Sequence, residues 1–341
     1  MKNKYTKLML VGLSLFLLTG CTKQLTDENK KVVRYDSAII CDSCKSECNK
    51  DSEDYDTCIK DCNSKCEGAK KSETGQNLTK NILCKPTDKY VLEIYEKYGV
   101  DVDKISSCDE FSLFSNYEGL WASLFVKPLA WLIIRVGMLF DNYGLSLVLI
   151  SILIRLCLMP LTKKTAMQSE NIKKAQPEID RINKKYDGKN DQESQMKKSQ
   201  EILLVYQKYN INPMSSCLFA LIQIPLLFAF IEAINRTPAI FEGKFLGLHL
   251  GVTPWIALKN GEWWYLILVA VLALVTYYSF NLNKGAGAPG DDTQKQMDTM
   301  SKFMMIFIVY ASFTMSTAIC MYWISSSAFT IYQNLLVKRV K

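Results

Sequence analysis

The sequence predicts an all-α polytopic membrane protein: five transmembrane helices around a polar interior, a cytoplasmic helical hairpin and a small disulfide-stapled outer segment. Three observations predict it. Of 341 residues, 49% are hydrophobic and 22% are charged, a mixture too greasy for one soluble core and too charged for a chain held wholly in lipid. The charges crowd into residues 22 to 120 and 163 to 212, while long apolar runs elsewhere are nearly free of them. Eight of the twelve cysteines fall in the first charged stretch, an even number that reads as disulfides in an oxidising compartment.

Residues 1 to 20 carry Lys2, Lys4 and Lys7, then an apolar stretch from Leu8 to Leu18 that is short for a span. The stretch ends in Leu18-Thr19-Gly20-Cys21, the form of a lipoprotein signal. Cleavage before Cys21 would place a lipidated N-terminus outside the cell, tied to the outer leaflet by acyl chains.

Residues 21 to 119 form the outer Cys-rich segment. Cys41, Cys44 and Cys48, then Cys58, Cys62 and Cys66, recur at gaps of three and four, which puts each triplet on one helix face. If the two helices form a hairpin, the pairs are Cys48 with Cys58, Cys44 with Cys62 and Cys41 with Cys66, leaving Cys84 with Cys108. A zinc cluster and a redox-active Cys41-x2-Cys44 rank below this staple. No His is nearby, and a catalytic Cys-x-x-Cys wants a thioredoxin-like setting. A segment with so few large apolar residues needs cross-links in place of a core.

Five stretches have roughly the 20 residues a span needs: Gly144 to Leu161, Met214 to Ile234, Trp263 to Phe280, Phe303 to Cys320 and Met321 to Val337. A sixth, residues 120 to 140, contains Lys127-Pro128, Arg135, Trp121 and Trp131. Charge decides its place. Residues 163 to 212 hold eleven Lys or Arg against seven Asp or Glu, whereas residues 22 to 120 hold fifteen against twenty, so the basic loop belongs in the cytoplasm and the acidic segment outside. One crossing from the outer end delivers that loop; two would strand it. Residues 120 to 140 are therefore expected to lie flat on the outer surface, with residues 141 to 341 forming the core and the basic C-terminal tail inside. Glu232, near the outer end of its span, is expected to reach the interface.

In the cytoplasmic hairpin of residues 163 to 212, Ile172, Ala175, Ile179, Ile182 and Tyr186 follow helical spacing, as do Met196, Leu203 and Tyr206 after a turn at Asp187-Gly188. One apolar seam closes two amphipathic helices. Residues 283 to 290 read as a flexible loop, and their glycines lack the strand and Gly-Lys-Ser/Thr of a phosphate cradle.

Arg155 asks for a function, because its span holds no acidic residue and a charge facing lipid costs several kcal/mol. Eight residues at about 1.5 Å each place it about 12 Å from Lys163, more than snorkelling comfortably covers, so a polar cavity is expected. Gln223 and Gln333 are the favoured co-lining residues, ahead of Thr276, Thr314, Ser316, Ser325, Ser326, Ser327 and Thr330, because hydroxyls in spans often bond their own helix.

From about Leu120 to the C-terminus the chain resembles the YidC/Oxa/Alb family of membrane protein insertases, and the lipobox makes it similar to the Gram-positive lipoprotein branch. The matching blocks are Ile152-Leu153-Ile154-Arg155-Leu156 with Met159-Pro160-Leu161, then Gln176-Pro177-Glu178, then Asn212-Pro213 with Cys217, Gln223 and Pro225, and finally Tyr322-Trp323. Ser216, Phe219 and Ser327 depart from the family pattern. The resemblance implies five core helices around a hydrophilic groove, with Arg155 at its centre and Gln223 beside it; Gln333, favoured for its place in the last span, is the further client-binding candidate. It implies insertion of client membrane proteins without catalytic chemistry, metal or cofactor. Nascent membrane proteins and membrane lipid are the expected partners, with the Sec translocon and translating ribosomes as further candidates and DNA excluded. The bacterial cell membrane is the expected location. The rival classes are an outer-face thiol oxidoreductase and a small-solute transporter, and no inverted repeat supports the latter.

Overall fold

The computed structural model describes residues 22–35, 48–49, 52, 54–70, 76–114, 117–189, 191–212, 215–283 and 291–339. The expected signal, Cys21, Cys41, Cys44 and residues 284 to 290 lie outside the described residues, as does the side chain of Cys66. The principal helices are α1 (Tyr55–Lys70), α2 (Lys89–Lys97), α3 (Lys127–Leu139), α4 (Tyr143–Lys185), α5 (Gln192–Lys208), α6 (Ser215–Asn235), α7 (Trp264–Asn283), α8 (Asp291–Thr314) and α9 (Thr317–Arg339). Two compact units share them. The first comprises Met1–Ile150, Leu227–Ile267 and Ser312–Tyr322, the second Ser151–Leu226, Leu268–Ala311 and Trp323–Lys341.

In the first unit, isolated bridges Gln24↔Thr79, Thr26↔Val32 and Arg34↔Asn77 bring two stretches of the outer segment together. They pack with α2 into a core of Leu25, Tyr35, Leu78, Ile82, Val91, Tyr95 and Val102 that also takes in Phe241, from the connection after α6. The sulfurs of Cys84 and Cys108 are 2.05 Å apart and those of Cys48 and Cys58 1.97 Å. A π-helical turn, Ala122–Val126, leads into α3. The α6–α7 connection forms a two-residue ladder, Lys244–Phe245 with Leu248–His249, and a short helix, Pro254–Lys259. Its turn uses Leu246 and Gly247 at positive φ.

In the second unit, α4 runs on for 43 residues through Pro160 and Pro177 into the hairpin. Gly188, at φ +74°, turns the chain, and Asp191 caps α5 by accepting from the Ser194 N–H at 2.8 Å, satisfying one of the open donors of a first helical turn. The hairpin core is Ile172, Ala175, Ile179, Ile202, Val205, Tyr206 and Ile211. On α5 the seam therefore runs through Ile202, Val205 and Tyr206, while Met196 and Leu203 are exposed. Ile202 stands three and four residues before Val205 and Tyr206, one face of the helix, and Ile211 joins the core from beyond its end.

The expected boundary between the last two spans, after Cys320, also moves. α8 stops at Thr314 and α9 starts at Thr317. There the Thr317 and Ala318 N–H groups donate to the carbonyls of Val252 and Leu250, at 2.9 and 2.8 Å, so the first donors of α9 are held by the α6–α7 connection and the helix cannot extend back.

Among the described residues, Ala122–Leu139, Tyr143–Pro160 and Trp264–Leu282 are long and apolar enough to cross a membrane, and Gln223–Asn235 and Lys302–Thr314 are apolar but shorter. α9 falls below that apolarity because Ser325, Ser326, Ser327, Thr330, Gln333 and Asn334 are buried within it. Outside, the second unit exposes Leu153, Leu156, Ile224, Val271, Leu274, Phe303, Ile306 and Phe307. Polar side chains inside and apolar ones outside reverse the soluble pattern and suit a lipid solvent.

Candidate functional site

The polar interior of the second unit is built from α4 and α9. Seven residues, two helical turns, separate Arg155 from Thr162 on α4 and Ser326 from Gln333 on α9, so each pair lies on one face. The faces meet in two rungs. The Arg155 Nε donates to the Ser326 Oγ at 2.8 Å, and its Nη2 reaches the same oxygen. One step along, the Gln333 Nε2 donates to the Thr162 Oγ1 at 2.8 Å. The Thr162 hydroxyl has its own acceptors in the Gln333 Oε1 at 3.0 Å and the Leu158 carbonyl at 3.1 Å. Because residue number rises in the same sense on both helices from the first rung to the second, α4 and α9 run parallel here.

α6 and α7 add to this frame. The Arg155 Nη2 donates to the Gln223 Oε1 at 2.6 Å, and the Trp323 Nε1 to the Thr276 Oγ1 at 3.0 Å, tying α9 to α7. Thr330 and Asn334 turn their donors back onto α9, to the carbonyls of Ser326 and Thr330, each at 2.9 Å. Arg155 is only 5% exposed. The hydroxyl and amide oxygens that hold it orient the guanidinium as neutral acceptors, which suits attraction of an anionic or polar group.

Arg155 and Gln223 are thus in contact. Gln333 is one rung away, bonded to Thr162. Ser326, ranked below the glutamines from the sequence, binds Arg155 through two nitrogens, and Thr162 was not among the candidates at all. Its signal was the seven-residue offset from Arg155.

The first unit holds a second buried arginine. Arg236 is 1% exposed. It pairs through Nη1 with the Glu232 Oε1 at 3.1 Å and through Nη2 with Glu118, and its Nε donates to the Asn81 carbonyl at 2.7 Å. The Lys127 Nζ lies 3.5 Å from the Glu118 Oε1, and the Trp121 Nε1 donates to the Glu232 Oε2 at 2.9 Å. One sequence expectation is corrected here. Glu232 does not reach an interface but is 7% exposed inside this cluster, drawn inward by an opposite charge, and Lys127 beside it is 1% exposed.

Elsewhere in that unit, burial pushes the Glu242 carboxyl upward and lowers His249 to about 4. In the hairpin, Lys208 and Tyr209 hold Glu178 below the usual carboxylate range, and Lys185 and Tyr186 do the same for Glu201. The sulfurs of Cys48, Cys58 and Cys62 lie within 4.8 Å of one another. All three are disulfide-bonded, however, and a sulfur in a disulfide has no thiolate to give zinc.

Against known proteins, the family model described as the 60Kd inner membrane protein matches residues 135–341. The chain is 33% identical over 254 residues to a membrane protein insertase YidC of Oceanobacillus iheyensis, covering 72% of this chain and 97% of that protein. It is 36% identical over 219 residues to the membrane protein insertase MisCA of Bacillus subtilis, covering 64% of this chain and 79% of that one. A crystal structure of an active YidC insertase with its first transmembrane domain resolved aligns with 72% of this chain and 50% of its own, at 20% identity and a TM-score of 0.42.

Proposed function

The chain belongs to the 60Kd inner membrane protein family, that of the YidC/Oxa/Alb insertases, and from that premise we propose that it moves hydrophilic tails and hydrophobic segments of client proteins into the bilayer through a positively charged groove. The observation that carries this reading is Arg155, buried and oriented by Ser326 and Gln223 on neighbouring helices. A hydrated positive site part-way across lipid lowers the cost of bringing in an acidic or polar tail, while the client's apolar segment stays against lipid and its partitioning drives the exit outward. No bond is made or broken, so the work needs no nucleophile, base, metal or cofactor.

Five spans surround the groove: the first part of α4, then α6, α7, the apolar part of α8, and α9. Their parity supports the arrangement, since the first and fifth of five spans must run in the same direction, as the rungs between α4 and α9 do. α3 lies on the outer surface, the hairpin and the C-terminal tail are cytoplasmic, and Cys21 carries the lipid. Nascent membrane proteins are the clients. The hairpin meets them first, alongside the Sec translocon and ribosomes. The disulfides staple the outer segment, with Cys41, Cys44, Cys62 and Cys66 completing the two pairs that flank Cys48–Cys58.

Insertion of single-span clients with acidic outer tails tests the groove. Arg155→Ala should slow it about tenfold, equivalent to about 1.4 kcal/mol, Arg155→Lys should retain most of it, and neutralising the tails should rescue part of the Ala defect. Normal insertion by folded Arg155→Ala would make the residue a structural one. For topology, a chain cleared of native cysteines and carrying Lys185→Cys should resist an impermeant thiol reagent on intact cells; labelling there would reverse the orientation.

A further inference from the structure

We propose that the outer segment is an intramolecular clamp on the connection between α6 and α7, pinned by Arg236. It grips at three points. At the first, Arg236 donates to the Asn81 carbonyl and to Glu118, while its own carbonyl accepts from the Leu83 N–H at 2.7 Å. At the second, the Glu242 carboxylate accepts from the Thr87 Oγ1 at 2.6 Å, the Thr87 N–H at 3.1 Å and the Asp88 N–H at 3.4 Å, just before α2. At the third, Tyr35 packs edge-on to Phe241, with ring centroids 4.8 Å apart, and lies so close over Gly251 that a Cβ there would stand 2.1 Å from its ring. The Cys84–Cys108 bridge ties the strip that holds Arg236 to the strip that leads on to Glu118.

Charge makes the first grip close to all-or-none. Arg236 and Lys127, each 1% exposed, share the carboxylates of Glu118 and Glu232. Glu118 and the Asn81 carbonyl both come from the outer segment. Were that segment to lift away, the Glu118 carboxylate would be taken from both buried cations at once, and removing one partner of a buried ion pair is strongly unfavourable. Partial release therefore gains nothing, and the connection is held or let go as a unit. Arg236 acts here as a positioning residue, fixing the outer end of α6 from a segment more than a hundred residues away in sequence.

Amide hydrogen exchange on the full chain in nanodiscs reads the clamp directly, because the Leu83 N–H is bonded across it. Glu118→Gln should speed exchange of the peptide spanning residues 81 to 88 by about tenfold or more, with no change in the hairpin peptides around Ile179 and Ile202. Adding Lys127→Gln removes one cation along with the anion and should return the rate to within about threefold of wild type. Replacing Cys84 and Cys108 together by Ser should also speed exchange of that peptide. Wild-type protection in Glu118→Gln would overturn the proposal. So would a charge-balanced double variant that exchanges as fast as the single one, which would mean lost packing rather than lost charge. If Glu118→Gln does not fold, the Cys84→Ser, Cys108→Ser chain decides, and unchanged protection at Leu83 in it refutes the clamp.

Discussion

Two buried arginines of this molecule are held by different kinds of acceptor. Arg236, in the first unit, is held by the carboxylates of Glu118 and Glu232, whereas Arg155, in the second, hydrogen-bonds to the hydroxyl of Ser326 and the amide oxygen of Gln223. Carboxylates cancel a guanidinium's charge and fasten the elements that bring them, while neutral oxygens fix its direction and leave the charge in place. The same residue type thus meets charged acceptors in one unit and neutral ones in the other, and in the proposed insertion only the second would present a field to a client.

Stability measurements separate the two most sharply. Arg236→Ala should cost about 3–5 kcal/mol, the usual loss when one partner of a buried pair is removed, and Arg155→Ala only about 1–2 kcal/mol, the worth of its hydrogen bonds. Equal losses in denaturant titrations of purified protein would erase the contrast. A smaller effect is expected at the acceptor. Ser326→Ala should leave Arg155 charged but less firmly aimed, slowing insertion of acidic-tailed clients about threefold, or about 0.6 kcal/mol. Smaller again is the second rung, where a double-mutant cycle of Thr162→Val with Gln333→Leu should give a coupling of about 0.6 kcal/mol, the average for hydrogen bonds between membrane helices. A coupling several times larger would make this rung, rather than Arg155, the centre of the polar interior.

A separate effect is one of pH. His249 falls to about 4 from an ordinary 6.5, so it binds fewer protons folded than unfolded. Its contribution is complete above about pH 6.5 and drains away as pH falls towards 4. Glu242, shifted up by burial, works in the opposite sense, favouring the folded state as pH falls. The His249 effect is therefore read as the difference between wild type and His249→Gln, which should unfold less readily at pH 5 relative to pH 7.5. Glu178 and Glu201 are shifted down, so the hairpin should keep their contributions until pH drops below the ordinary carboxylate range. Melting followed by probes in each unit would show the two windows; coincident windows would contradict the assignment.

How far the sequence could be read depended on the range of the interaction. Apolar spacing located the arms of the hairpin, and a lone charge in an apolar run picked out Arg155, because both signals lie within a single helix. Ser326 was harder to choose. Its selection over Gln333 as partner to Arg155 depends on the register between helices 171 residues apart, which no local pattern carries. The first-unit cluster failed for a related reason. Glu232 and Arg236 stand at i and i+4, a pairing visible in one dimension, but the place of Lys127 beside Glu118 is set by a fold that no local pattern carries. The α8–α9 break was misplaced because the acceptors that end it, the carbonyls of Leu250 and Val252, belong to a distant connection.

The two prolines inside α4 have a mechanical consequence. Each lacks the N–H that would bond four residues back, so the helix is weakest at Pro160 and again at Pro177. From Pro160 to Lys185 the helix extends about 38 Å at about 1.5 Å per residue. A bend of about 10° at Pro160, within two residues of Thr162, would carry the far tip through about 7 Å if the arm stayed straight at Pro177. A cargo seated on the tip would pull on the Thr162–Gln333 rung with a long mechanical advantage, and the load would arrive seven residues from Arg155.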